Sequence, residues 1–133
     1  MERNDFFPRF NGNPSANIAE IERFEEEAGF KPPNDYAAFL QRSNGGEGFI
    51  GQNAYVILWP LDELTEMNKA YEVTEYAPGL FIFGSDGGGE AFAFDIRTPA
   101  KQIVMVPFIG MELSMADVLA PNFDGFLEAL SRL

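Results

Sequence analysis

The sequence predicts a domain that mixes helix and strand, with helices leading, β-segments through the centre and second half, and a helix at the end. Two observations carry this. Apolar residues recur at three- and four-residue intervals within 18–28, 36–40 and 123–130, the period of one helix face. The runs 54–59, 80–84, 90–97 and 102–108 are instead β-branched and aromatic, or alternate residue by residue, as strands do. Glycine and proline punctuate the two kinds of segment.

Residues 1–16 read as an irregular lead-in, broken by Pro8, Gly12 and Pro14, with Phe6, Phe7 and Phe10 tucked against the domain. A first helix follows, capped by Ser15 or Asn17. Its buried stripe is Ile18, Ile21, Phe24 and Ala28, and Gly29 stops it. The stretch "KPPNDYAAFLQRSNGG" reads as a second helix. Pro33 suits its first turn, where a missing N–H costs nothing, and Tyr36, Phe39 and Leu40 form its buried stripe. Asn44 and Gly45 end it, and "NGGEG" at 44–48 reads as a helix stop followed by a loop.

"AYVILW" (54–59) is a strand closed by Pro60. "LDELTEMNKAYEV" is helical, with Leu64, Met67 and Tyr71 on one face, and "APG" at 77–79 breaks it. "LFIFG" (80–84) carries large apolar groups on both faces, as a covered central strand does. "EAFAFDIR" (90–97) puts Phe92, Phe94 and Ile96 on one face and Ala91 and Ala93 on the other. The small face implies close approach of a helix or another backbone. "QIVMVPF" (102–108) is a further strand. "LSMADVLA" is readable as a short helix, and Phe123, Phe126, Leu127 and Leu130 make the stripe of the last one.

Composition narrows the chemistry. The chain of 133 residues fits one domain, 1–133, and 14 phenylalanines supply a core without staples. There is no cysteine and no histidine, which removes disulfides, thiol chemistry, and the commonest general base and metal ligand. Nine Lys and Arg against 21 Asp and Glu give a net charge of −12, which repels nucleic acid and anionic lipid and attracts basic proteins. "MERNDFFPRF" lacks the apolar run of a signal peptide, and no stretch reaches the roughly 18 apolar residues of a membrane span. A cytoplasmic protein is expected, with no membrane or nucleic-acid partner.

The stretch "FGSDGGGEAFAFD" tests whether a glycine loop holds a phosphate. A Walker loop needs Lys and Ser or Thr after the glycines, whereas Glu90 and Ala91 follow here. A dinucleotide loop opens a helix, whereas the next segment alternates like a strand. Asp86 and Glu90 would repel the anion, and a calcium-loop spacing is absent. One reading is therefore a hairpin connection, in which Gly87, Gly88 and Gly89 supply positive φ. The same need for positive φ is expected of Gly45 and Gly88 alike. The other reading is a carboxylate-lined recess of Asp86, Glu90 and Glu47.

Two further features carry double readings. Glu20, Glu22, Glu25, Glu26 and Glu27 make the first helix acidic, either as a solvated face with Arg23 pairing to Glu26 or Glu27, or as a partner surface. Glutamates near a helix C-terminus oppose its dipole, the one point that counts against solvation alone. Trp59 before Pro60 reads either as packing or as an interface anchor.

Two stretches together resemble the SUKH superfamily of bacterial toxin-immunity proteins and cell-wall and killer-toxin-resistance regulators. They are "IERFEEEAGFKPPNDYAAFLQRSNGGEGFIG", with its helix–glycine–proline–helix–Asn-Gly-Gly order, and "FIFGSDGGGEAFAFD", a strand–acidic glycine turn–strand. The resemblance runs from about Ile18 to the last helix and departs at Lys31–Pro32–Pro33, where the family often has leucine before one proline. It implies an α+β fold: N-terminal helices, a largely antiparallel β-sheet, and a C-terminal helix packed on the sheet. It implies no catalysis. No cofactor is expected, and no metal, since histidine and cysteine are absent and the carboxylates show no recognised ligand spacing. Asn44, Gly45, Gly46 and the turn Gly87, Gly88, Gly89 then read as architecture.

The function implied is stoichiometric binding of a cognate toxin, such as a nuclease or deaminase. The alternative is a regulatory or scaffolding module with an endogenous partner. Candidate partner-contacting residues are Glu47, Asp86 and Glu90, and Glu22, Glu26 and Glu27 on the first helix. An enzyme would have to use carboxylates, of which Asp86, Glu90 and Asp95 are the compact set. Glu90 and Asp95 are an odd number of residues apart on a strand and face opposite ways, which argues against a shared site.

Overall fold

The structure, a computed structural model, describes residues 6–133. Residues 1–5 of the expected lead-in lie outside the described residues.

Helix α1 (Ile18–Ala28) begins at a reciprocal cap. The Asn17 side chain accepts the Glu20 N–H at 2.8 Å, and the Glu20 carboxylate accepts the Asn17 N–H at 3.1 Å. It ends at Gly29, whose φ of 66° is the left-handed turn a glycine adopts freely. Ile21 and Phe24 are buried, but Ile18, the first residue of the helix, is 60% exposed and does not belong to the buried stripe. Helix α2 (Asn34–Leu40) starts after Pro33 and buries Tyr36, Phe39 and Leu40, as its spacing predicts.

Seven strands among the described residues form one sheet in chain order, every neighbouring pair antiparallel. They are β1 (Phe10–Gly12), β2 (Gly46–Ile50), β3 (Ala54–Leu58), β4 (Leu80–Ser85), β5 (Glu90–Asp95), β6 (Ile103–Pro107) and β7 (Asp117–Ala120). Helices α3 (Leu61–Ala70) and α4 (Val73–Tyr76) lie between β3 and β4 in the chain, and α5 (Phe123–Ser131) closes it. This is the α+β arrangement expected, with helices at both ends and the antiparallel sheet between them.

Aromatic rings join the layers. Phe83 stacks on Phe94 at 4.5 Å and Phe30 on Phe81 at 4.6 Å, while Tyr36, Phe123 and Phe126 pack their rings onto Phe83. Each such ring contributes about 1.5–3 kcal/mol through burial, and well-placed pairs about 0.5–1.5 kcal/mol more. Ala91 and Ala93, on the other face of β5, are fully buried, so both faces of this strand are covered.

Several elements differ from the sequence reading. The lead-in contains β1, and the "loop" after Asn44 is strand β2. Glycine hides β2 from propensity, yet the pairing demands it. A Cβ on Gly46 would lie 2.6 Å from the Asn11 carbonyl oxygen, and one on Gly48 at 2.6 Å from that of Arg9. Residues 113–120 are not a helix but a 3-10 turn followed by β7, because β6 offers an unpaired edge that Val118 and Ala120 satisfy. Helix α3 stops at Ala70. Glu72, with φ 53°, reverses the chain into α4, and Tyr71 is exposed. Ile96 lies past the end of β5 and is exposed, so it does not share the face of Phe92 and Phe94.

Candidate functional site

Strand parity builds one outward face at the β1 end of the sheet. The register sets Asn11 opposite Glu47 and Glu47 opposite Ile57, with Phe49 opposite Tyr55. The alternate residues Ile50, Val56 and Leu58 are buried. The outward set, with Arg9, Trp59, Pro60 and Glu63, lines a recess of about 690 Å³.

Each wall has a cause. The Tyr55 hydroxyl donates to the Glu47 carboxylate. That hydrogen bond, with desolvation and the neighbouring charge, raises the Tyr55 pKa above its ordinary value. The Arg9 guanidinium lies 4.3 Å over the Phe49 ring and donates to the Gln52 carbonyl at 2.9 Å. Trp59 is held by the Asn-Gly-Gly motif. The Asn44 side-chain oxygen accepts the Leu61 N–H at 2.8 Å, capping α3 in place of the proline that precedes it. Gly45, at φ 78°, lets the backbone of Leu58–Pro60 pass against it.

The acidic glycine turn is a hairpin connection, and it abuts this recess. Asp86 Oδ1 accepts the N–H groups of Gly88 at 2.7 Å and Glu90 at 3.1 Å, so the carboxylate organises the turn's own backbone. Gly87 and Gly89 have φ of 78° and 110°, but Gly88 does not have positive φ, contrary to expectation. A Cβ on Gly87 would meet the Tyr55 ring at 3.4 Å. The Phe108 N–H donates to the Gly89 carbonyl at 3.0 Å, and Phe108 stands 6.4 Å from Trp59, ring to ring.

Glu47 therefore lines the recess, and the turn of Asp86 and Glu90 borders it through Gly87 and Phe108 without lining it. Glu22, Glu26 and Glu27 are exposed on α1 and are not brought to this recess. The pairing of Arg23 with Glu26 or Glu27 is not formed. Glu90 and Asp95 sit at opposite ends of β5. Asp95 is buried in a bidentate pair with Arg97, Nε to Oδ1 at 2.9 Å and Nη2 to Oδ2 at 2.8 Å.

Sequence reasoning missed Arg9, Phe49, Tyr55 and Glu63. The alternation of Tyr55 and Ile57 against Ala54, Val56 and Leu58 was the available signal for the outward face, whereas Trp59, just past the strand, is itself almost wholly buried at the recess wall. The partner strand was masked by its glycines.

Helices at both ends of an antiparallel meander, with an aromatic and carboxylate-edged recess on the outward face, define an α+β domain with a built surface concavity. The family model of the SMI1 / KNR4 family (SUKH-1) matches residues 15–129, and the chain belongs to that family. SUKH domains occur in toxin-immunity contexts and bind protein partners. Comparison with characterised proteins gives no match. No helix among the described residues is long and apolar enough to cross a membrane.

Proposed function

We propose that this protein is a non-enzymatic immunity protein that neutralises a toxin, such as a nuclease or deaminase, by stoichiometric binding in the cytoplasm. The observation that carries the reading is membership, over residues 15–129, of a family found in toxin immunity. The net charge of −12 supplies the physics. A basic, nucleic-acid-binding cleft is drawn to a negative surface, and close contact excludes its substrate. Glu47, Asp86 and Glu90 edge the contact on this reading, around the recess whose aromatic members are Phe49, Tyr55 and Trp59. Strands β2 and β3 position Glu47, Phe49 and Tyr55, and the turn after β4 carries Asp86.

The test is to express the product of the neighbouring gene with and without this protein, and to titrate the purified pair. Protection at a fixed molar ratio supports the proposal. Protection by far less than one equivalent means catalysis and overturns it. Association without toxicity or protection overturns immunity in favour of a regulatory module.

A further inference from the structure

We propose that a second recess, where the α3–α4 reversal meets the loop after β6, receives an arginine or lysine side chain of a protein partner. The inference rests on the protein acting by binding a protein partner, but not on that partner being a toxin. The recess has a volume of about 550 Å³ and is lined by Tyr71, Tyr76, Phe108 and Met111 with Glu75 and Glu112. No lysine or arginine lines it.

The walls are set by the fold. Glu72 in the left-handed region turns the chain between α3 and α4, and Tyr71 and Tyr76 on either side of it both line the recess. Tyr71 packs on Phe108 at 4.4 Å, and Phe108 is fixed by its N–H to the Gly89 carbonyl at 3.0 Å. The Ser114 hydroxyl donates to the Glu112 carboxylate at 2.8 Å, which orients it. Met111 is buried.

Aromatic faces carry negative electrostatic potential and attract a cation within about 6 Å of the ring. Two carboxylates at the same recess reinforce this and reject acidic side chains. A neutral apolar side chain would cover those carboxylates in part without offering them a charge partner. An arginine covers the rings with its plane and stem and pairs with the carboxylates. The molecule uses the same contact on itself, with Arg9 over Phe49 at 4.3 Å and Arg42 over Phe7 at 5.6 Å. In the second recess the cation must come from outside. Ile109 beside it is 93% exposed and Tyr76 is 51% exposed, apolar surface that a protein would cover and a free small cation would not.

The test is an NMR titration with a capped Gly-Arg-Gly peptide, its citrulline counterpart as neutral isostere, at constant ionic strength. Saturable shifts at Tyr71, Tyr76, Phe108 and residues 109–112 are expected with arginine and not with citrulline. The double variant E75Q/E112Q, which keeps side-chain shape, should weaken the arginine peptide by roughly threefold or more. Equal shifts with citrulline, shifts spread over the acidic face of α1 without saturation, or unchanged affinity in E75Q/E112Q would each overturn the proposal. No toxin enters this experiment, so arginine binding here without protection of a host would reject immunity and keep the recess. Protection without arginine binding would do the reverse.

Discussion

The Asn68 side chain holds both backbone groups of Ile82. Its Nδ2 donates to the Ile82 carbonyl at 2.9 Å and its Oδ1 accepts the Ile82 N–H at 2.9 Å. β3 pairs with β4 only at Ile57–Ser85 and Leu58–Gly84, and then the chain turns into α3. One amide side chain replaces the strand that β3 no longer provides, on a residue that is fully buried. Asn68→Ala leaves the donor and the acceptor of Ile82 unpaired, at a cost of about 1–3 kcal/mol for each group. Asn68→Asp keeps the acceptor but sets a carboxylate oxygen against the carbonyls of Leu64 and Ile82, and should be no more stable than the alanine variant at neutral pH. Denaturant unfolding measures this, and a parent-like midpoint for Asn68→Ala would disprove it.

The two glycine motifs differ in what they require. A Cβ on Gly45 would fall on the Leu58 carbonyl oxygen and 2.8 Å from the Trp59 carbonyl carbon, at φ 78°. Around Gly88 the nearest atom is 3.6 Å away, in the Asp86 side chain, and its φ is not positive. Gly45→Ala should therefore cost about 1–3 kcal/mol through strain and overpacking. Gly88→Ala should melt close to the parent. Thermal melts of the two variants decide it, and equal losses at both positions would contradict this account.

Stability should fall at both extremes of pH for identifiable reasons. The hydrogen bonds from Arg97 hold the Asp95 carboxyl below its usual range. A carboxyl lowered in the folded state stabilises above the unfolded value of about 4, and that contribution is lost as pH falls through the folded value. Burial raises the Tyr36 hydroxyl above its usual range. Above about pH 10 the unfolded state then binds fewer protons than the folded one, so stability is lost as pH rises. Asp95→Asn should flatten the acid limb of a Tm-versus-pH curve and Tyr36→Phe the alkaline limb. Limbs of unchanged slope in these variants would assign the pH dependence to other groups.

If the outward recess and its neighbouring turn form the toxin contact, association should slow with salt, since screening shortens from roughly 10 Å at 0.1 M to about 3 Å at 1 M. The combination Glu47→Gln, Asp86→Asn, Glu90→Gln should lower the on-rate. The side-chain amide introduced by Asp86→Asn retains the oxygen that accepts the turn's N–H groups, so the turn keeps its shape. The combination Glu22→Gln, Glu26→Gln, Glu27→Gln should lower the on-rate less. Stopped-flow association measures both, and the opposite ranking would move the contact to α1.

The sequence alone determined the elements whose side chains repeat at a clear period and whose ends carry chemical stops. Gly29 stops α1, whose start the sequence leaves between Ser15 and Asn17 and the structure sets at Asn17, and Tyr36, Phe39 and Leu40 fix the buried face of α2. The alternation around Phe92 and Phe94, with glycines before it, gave the β4–β5 hairpin. These signals are local, so no tertiary contact was needed to read them. The tertiary structure decided β1, β2 and β7, where glycine, asparagine and aspartate carry little strand propensity and the pairing partner supplies the hydrogen bonds. It also decided the recess, because Arg9, Glu47 and Trp59 are far apart in the chain and meet only when β1, β2 and β3 fall into register. Long-range pairing sets that register, and no window of sequence contains it.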